Sequence, residues 1–116
     1  MEIIYIRDLL LRTEVGFNPH EIGKKQDLII NISIYFDLQG EEISDNPDEA
    51  LDYRAICKYV IEKIESKKFN LIESVANDVA QSLLENDRIK KVDVTIDKPH
   101  ALRFSKSVAF RMVKER

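Results

Sequence analysis

The stretch DLIINISIYFD, Asp27 to Asp37, decides how this chain folds. Leu28, Ile30, Ile32, Ile34 and Phe36 alternate with Ile29, Asn31, Ser33 and Tyr35, a period of two that only an extended strand explains well. One face of the strand is apolar and needs a cover; the other is largely polar. Upstream, Glu2 to Val15 also reads as extended, through Ile3, Ile4, Tyr5, Ile6, Leu9, Leu10 and Leu11. The Arg7-Asp8 pair interrupts its alternation, as a bulge or bend would. Between the two strands, Gly16 to Gln26 holds Pro19 and Gly23 and is long for a hairpin turn, which makes it a candidate ligand-binding loop.

Downstream lies an acidic connection, QGEEISDNPDEALD at 39–52, after which Tyr53, Cys57, Val60 and Ile64 recur at the spacing of an amphipathic helix. A second helix is expected after Asn70, whose side chain would cap it, with Glu73 completing an N-x-x-E capping box. Leu71, Ile72, Val75, Ala76, Val79, Ala80, Leu83 and Leu84 form its apolar stripe. Val92, Val94 and Ile96, then Val108, Phe110 and Met112, alternate on either side of KPHALRFSK and predict a final hairpin. The order ββααββ predicts a single α+β domain over residues 1–116, an antiparallel four-stranded sheet with both helices on one face. Its second face, with Ile29 and Tyr35, and both its edges are then exposed. Either copies of the chain close over them, or the chain is a monomer with a polar sheet face.

The 116 residues are 44% apolar and 34% charged, with 18 Lys and Arg against 21 Asp and Glu, a net charge of -3. That balance weighs against a general nucleic-acid binder or a membrane-surface protein, both of which concentrate positive charge on one face. It does not exclude a small anionic ligand. Cys57 is the only cysteine, which removes intrachain disulfides and multi-cysteine metal sites; core filling in a reducing compartment is its simplest role. With no leader pattern at the start and no long apolar run, a cytoplasmic location is expected.

No glycine-rich phosphate loop, Cys/His cluster or G-x-S-x-G elbow is present. The residues of chemical interest sit in loops and at helix starts. His20-Glu21 sets an imidazole beside a carboxylate, which is a solvated turn unless a ligand meets it. Lys98, His100 and Arg103 fall together beyond a strand, with Pro99 stiffening the turn; such a segment is either a plain basic turn or one that binds an anion or moves a proton. Tyr53 at a helix start is a boundary aromatic or an active phenol, and Glu73 a cap or a ligand group.

Four segments give these residues a common context. RTEVGF (12–17) with Glu21 five residues after Gly16, LDYRAI (51–56), FNLIESVA (69–76) and DKPHALRFSKSV (97–108) occur in this order on the ββααββ pattern. In them the chain resembles the dihydroneopterin aldolase family, and in the first and last segments its dihydroneopterin triphosphate epimerase branch; Pro99 after Lys98 is the more aldolase-like feature. The resemblance implies the tunnelling fold, or T-fold, in which four protomers join their sheets into a barrel and two rings stack as an octamer. The active sites then lie between protomers.

The resemblance also assigns roles. Glu73 becomes the carboxylate that anchors the ring of a reduced pterin, with no role assigned to the adjacent Ile72. Tyr53 becomes the active-site tyrosine, Lys98 the catalytic lysine, and Glu21 the loop carboxylate that assists proton movement. A triphosphate tail calls for cations, with His100, Arg103, Arg54, Arg12 and Lys106 as sources. The implied reaction breaks C1'–C2' and uses the reduced ring itself as the electron sink, so neither metal nor cofactor is expected. Non-catalytic binding of a planar heterocycle through Glu73 is the remaining alternative.

Overall fold

The chain is described here over residues Met1–Arg116 from a computed structural model. Two long strands, β1 (Glu2–Val15) and β2 (Lys25–Phe36), form an antiparallel pair. Helix α2 (Tyr53–Glu65) and helix α3 (Ile72–Leu84) follow, then the antiparallel pair β4 (Ile89–Pro99) and β5 (Ser107–Glu115). Two small elements join them: helix α1 (Glu41–Ser44) with a 3-10 turn (Pro47–Glu49) in the acidic connection, and a two-residue strand, β3 (Lys68–Phe69). The sheet order is β3-β1-β2-β4-β5, so the expected four strands gain a fifth, short one parallel to the end of β1. It exists because the buried Thr13 hydroxyl bonds the carbonyls of Ile64 and Lys67 (3.2 and 3.0 Å), which lays the exit of α2 beside Glu14 and Val15.

The alternation in β2 is borne out. Leu28, Ile30, Ile32, Ile34 and Phe36 are all buried, joined by Leu11 and Val15 of β1, Ile89, Val92, Val94 and Ile96 of β4, and Val75, Ala76, Val79, Ala80 and Leu83 of α3 in one core between sheet and helices. Each fully buried Leu or Ile contributes about 1.5–3 kcal/mol relative to exposure. The break at Arg7-Asp8 is a bulge: the β1–β2 register shifts between Ile6 and Leu9, Asp8 adopts φ 54°, and its N–H donates to Asn31 Oδ1 at 2.9 Å.

Two local expectations are corrected. Asn70 does not cap α3 and Glu73 does not complete a capping box; the boundary residue is Leu71, in extended conformation and without a side-chain cap bond. Pairing of β3 with β1 keeps the chain extended through this region, which moves the helix start one residue on. In α2 the stripe that meets the core is Ile56, Val60 and Ile64; Cys57 is only half-buried, its thiol pushed up by burial, and Tyr53 is 57% exposed. Asp52 caps this helix by accepting from Ala55 N–H at 3.0 Å.

Arg88 fastens the acidic connection to the sheet. Its guanidinium donates to the carbonyls of Glu49 (2.7 Å) and Asp37 (3.0 Å) and to the Glu41 carboxylate (2.6 Å), and lies over the Phe36 ring. The guanidinium is the main reason that the Glu41 carboxyl titrates at about 2.

The molecule is elongated, 53 × 26 × 22 Å, with a radius of gyration of 15.5 Å. A compact domain of this length measures about 13 Å. On the helix-free face of the sheet Tyr5, Arg7, Asn31, Ser33, Asp93, Thr95 and Arg111 border a shallow polar groove, in which Arg111 and Asp93 pair. Beyond the two residues covered by β3, the β1 edge is open, as is the β5 edge. No helix is long and apolar enough to cross a membrane.

Candidate functional site

At one end of the sheet, the inward-facing rows of two strands run on from apolar into polar residues. Leu28 is preceded on its face by Gln26, and Ile96 is followed on its face by Lys98. The loop between β1 and β2 folds over them. It turns at residues 18–21 (Glu21 N–H to Asn18 O, 2.9 Å) and again at 21–24 (Lys24 N–H to Glu21 O, 3.2 Å), where Gly23 takes φ 80°. A glycine at the third position of such a turn avoids the strain an L side chain would meet.

These turns bury Glu21, which is 8% exposed. Its Oε1 accepts from Asn18 Nδ2 at 2.9 Å, and its Oε2 from Gln26 Nε2 at 3.0 Å and Lys98 Nζ at 2.5 Å. Gln26 also donates to Val15 O at 2.7 Å, which ties the site to the end of β1. The Gln26 and Lys98 donors, working against burial, hold the Glu21 carboxyl down at about 2. Near neutral pH Glu21 is thus an ionised counter-charge that orients Lys98. Gly16, at φ 121°, lies directly under this carboxylate, and a Cβ there would overlap it.

Because the folded-state value of Glu21 lies below the ordinary 4.5, the unfolded chain takes up the proton first as pH falls. The stability that Glu21 contributes is complete above about 4.5 and disappears as pH drops toward 2. Urea midpoints of the wild type and Glu21→Gln, measured across that window, are expected to differ near neutrality and to converge in acid. A constant gap would show that the ion pair is not its source.

Around the pair opens a cavity of about 360 Å³, lined by Asn18, His20, Glu21, Lys24, Lys25, Gln26, Lys98, His100 and Ala101. Of the sequence candidates it unites His20, Glu21, Lys98 and His100. His100 takes φ 61° at the start of the 100–106 turn, which its N–H closes by donating to Lys106 O. The other expected cations lie elsewhere: Arg103 over the exposed Phe104 ring, Arg12 paired with Asp27 at 3.4 Å, and Arg54 beside Tyr53 in a separate shallow groove. Lys106 is exposed and does not line the cavity.

Glu73 stands outside the cavity but at the same end of the sheet, since Gly16 N–H donates to Phe69 O at 3.0 Å just before α3 begins. Its exposed carboxylate has no hydrogen-bond or salt-bridge partner and sits in a first helical turn that lacks a side-chain cap. An ionised acceptor beside open backbone donors suits a flat heterocycle that offers both N–H groups and a carbonyl. Tyr53 is far from both. The last turn of α2 rests on Arg12 and Thr13, near the cavity end, so Tyr53 at the first turn is about a helix length, roughly 18 Å, away.

The sequence of the chain matches the model of FolB, dihydroneopterin aldolase, over residues 4–113. It belongs to the dihydroneopterin aldolase family. Within that family the chain is 35% identical to the dihydroneopterin triphosphate 2'-epimerase of Pseudomonas aeruginosa, over 100% of this chain and 94% of that one. It is also 35% identical to the epimerase of Escherichia coli K12, over 98% and 95%. The dihydroneopterin aldolase of Escherichia coli K12 is more distant, 30% identical over 88% of this chain and 84% of its own. The same fold is found in the Escherichia coli aldolase solved in complex with neopterin, with a TM-score of 0.92 and 28% identity over 98% of this chain and 99% of that one. This is the α+β T-fold of the family, with the two long helices on one face of the sheet.

Asn18, Gln26, Lys24 and Lys25 escape the sequence reading. For Gln26 a signal existed: it continues the apolar row of β2. Asn18 and Lys24 lie in the loop, which has no period to read, and Lys25 opens β2 on the face opposite Gln26.

Proposed function

We propose that the chain is a dihydroneopterin triphosphate 2'-epimerase that works without metal or cofactor, by retro-aldol cleavage and re-addition. The observation that carries the proposal is the Glu21–Lys98 pair in its polar cavity, in a chain whose full length matches epimerases more closely than aldolases. Glu73 binds the amino and ring N–H groups of the reduced pterin. The Lys98 ammonium passes a proton toward N5 through water and takes back the proton that leaves the C2' hydroxyl. As the C1'–C2' bond breaks, its electron pair passes into the conjugated N5=C6 unit, N5 takes up a proton and C2' becomes an aldehyde carbon. Rotation of the aldehyde and attack by C1' on its other face re-form the bond, return the N5 proton and invert C2'. Positioning and fixed charges supply the catalysis.

The site forms between protomers of a tetrameric ring, with two rings stacked as an octamer. Supporting this are the distance of Tyr53 from Lys98, the open edges of β1 and β5, and the polar groove on the helix-free face, which becomes the wall of a tunnel. The cytoplasm suits the lone thiol.

A second reading, aldolase, is favoured by the Lys98-Pro99 pair. There the aldehyde leaves, C1' is protonated and N5 gives its proton back, giving 6-hydroxymethyl-7,8-dihydropterin. Incubation with dihydroneopterin triphosphate, and separately with dihydroneopterin, followed by chromatography of the pterins, tests both. Inverted triphosphate without release of the two-carbon aldehyde is expected. Hydroxymethyl-dihydropterin as the main product would replace epimerase with aldolase, and no turnover would leave only binding.

A further inference from the structure

We infer that the cavity beside Lys98 is a polyphosphate subsite, formed by Lys24, Lys25, His20 and His100. The inference rests on the epimerase reading and assigns the tail-binding groups that reading requires. Among the cavity's side chains only one is acidic, Glu21, and its charge is already matched by Lys98 at 2.5 Å. Lys24 and Lys25 have no carboxylate within 4.0 Å, and neither histidine side chain has a hydrogen-bond partner; all four residues are exposed. The cavity therefore carries uncompensated positive charge, although the chain as a whole is at -3.

Its walls also say which part of a substrate it holds. Ala101 is the only hydrophobic residue in the lining. A planar ring bound there would meet no apolar surface, in contrast to ordinary heterocycle pockets. The occupant is the polar, anionic part. Covalent connectivity points the same way: phosphate is carried on the carbon next to C2', so a substrate with C2' at Lys98 must place its first phosphate immediately beyond it. Two flexible ammonium groups at successive positions suit a chain of phosphates, which presents many acceptors in no single plane. Arg12, Arg54, Arg103 and Lys106 do not line this cavity.

Inorganic tripolyphosphate is the probe for the subsite alone. Titrated calorimetrically into the wild-type protein, it is expected to bind, more weakly as salt is raised. The Lys24→Ala/Lys25→Ala double variant should bind at least about ten-fold more weakly, as loss of two charge-assisted contacts implies, and Lys24→Arg/Lys25→Arg should restore binding. In turnover, the ratio of kcat/KM for the triphosphate to that for dihydroneopterin should fall by a similar factor in the double alanine variant. Equal tripolyphosphate affinity in wild type and double alanine variant, or an unchanged ratio, overturns the subsite. Failure of the wild type to turn over the triphosphate overturns the epimerase reading instead, and tripolyphosphate binding is read independently of it.

Discussion

Lys98→Ala is expected to lower kcat by about 10²–10⁴-fold, the range for losing a positioned proton-transfer group, while pterin affinity stays within a few-fold of wild type. The separation follows from where the groups sit. Lys98 lies in the cavity with Glu21, whereas Glu73, proposed to hold the ring, is at the start of α3 outside it. Removal of the lysine leaves Glu21 with its Asn18 and Gln26 donors, so the loop keeps most of its anchoring. Glu73→Ala should act in the opposite way, weakening binding by about 10- to 150-fold, as expected for hydrogen bonds to a charged group. Steady-state kinetics with calorimetric titration of a pterin separates the two effects, and wild-type kcat in Lys98→Ala would refute the role given to the lysine.

The second large effect concerns Tyr53. Tyr53→Ala chains alone, like Lys98→Ala chains alone, are expected to be nearly inactive. Unfolded together in equal amounts and refolded, the two should regain about a quarter of wild-type activity, because random assembly of a site from two chains unites an intact Tyr53 with an intact Lys98 in that fraction of sites. The physical basis is the length of α2, which keeps Tyr53 roughly 18 Å from the cavity end of its own chain. Activity no greater than the sum of the separately refolded variants would place the complete site within one protomer.

Much of this architecture is legible along the chain, and the exceptions share a cause. The alternation in β2 and β4 survives because both strands lie inside the sheet, where one face is wholly covered. The same alternation marks the site: Thr13, Gln26 and Lys98 are polar residues on inward rows, and each bonds a group that belongs to another element or to the loop. Where contacts are long-range, local pattern misleads. Helix α1 is held to the sheet by Arg88, 47 residues from Glu41 in sequence. The Asn70–Glu73 pattern promises a cap, but pairing of Lys68 and Phe69 with β1 decides the helix start instead. The Tyr53–Cys57 spacing looks like a core stripe, yet the core takes Ile56 in the same turn and leaves Tyr53 exposed.

Under the proposed ring assembly, the Asp8 bulge bears on two fates for a sheet whose edges are unlike. An open edge of β1 offered to an open edge of β5 makes a head-to-tail contact, which repeats until it either meets its own beginning or runs on as a filament. What decides is curvature, and a bulge that deepens strand twist is one of the few devices that supply it. In the proposed ring, the kink at Asp8, whose N–H donates to Asn31 Oδ1, would favour closure over polymerisation.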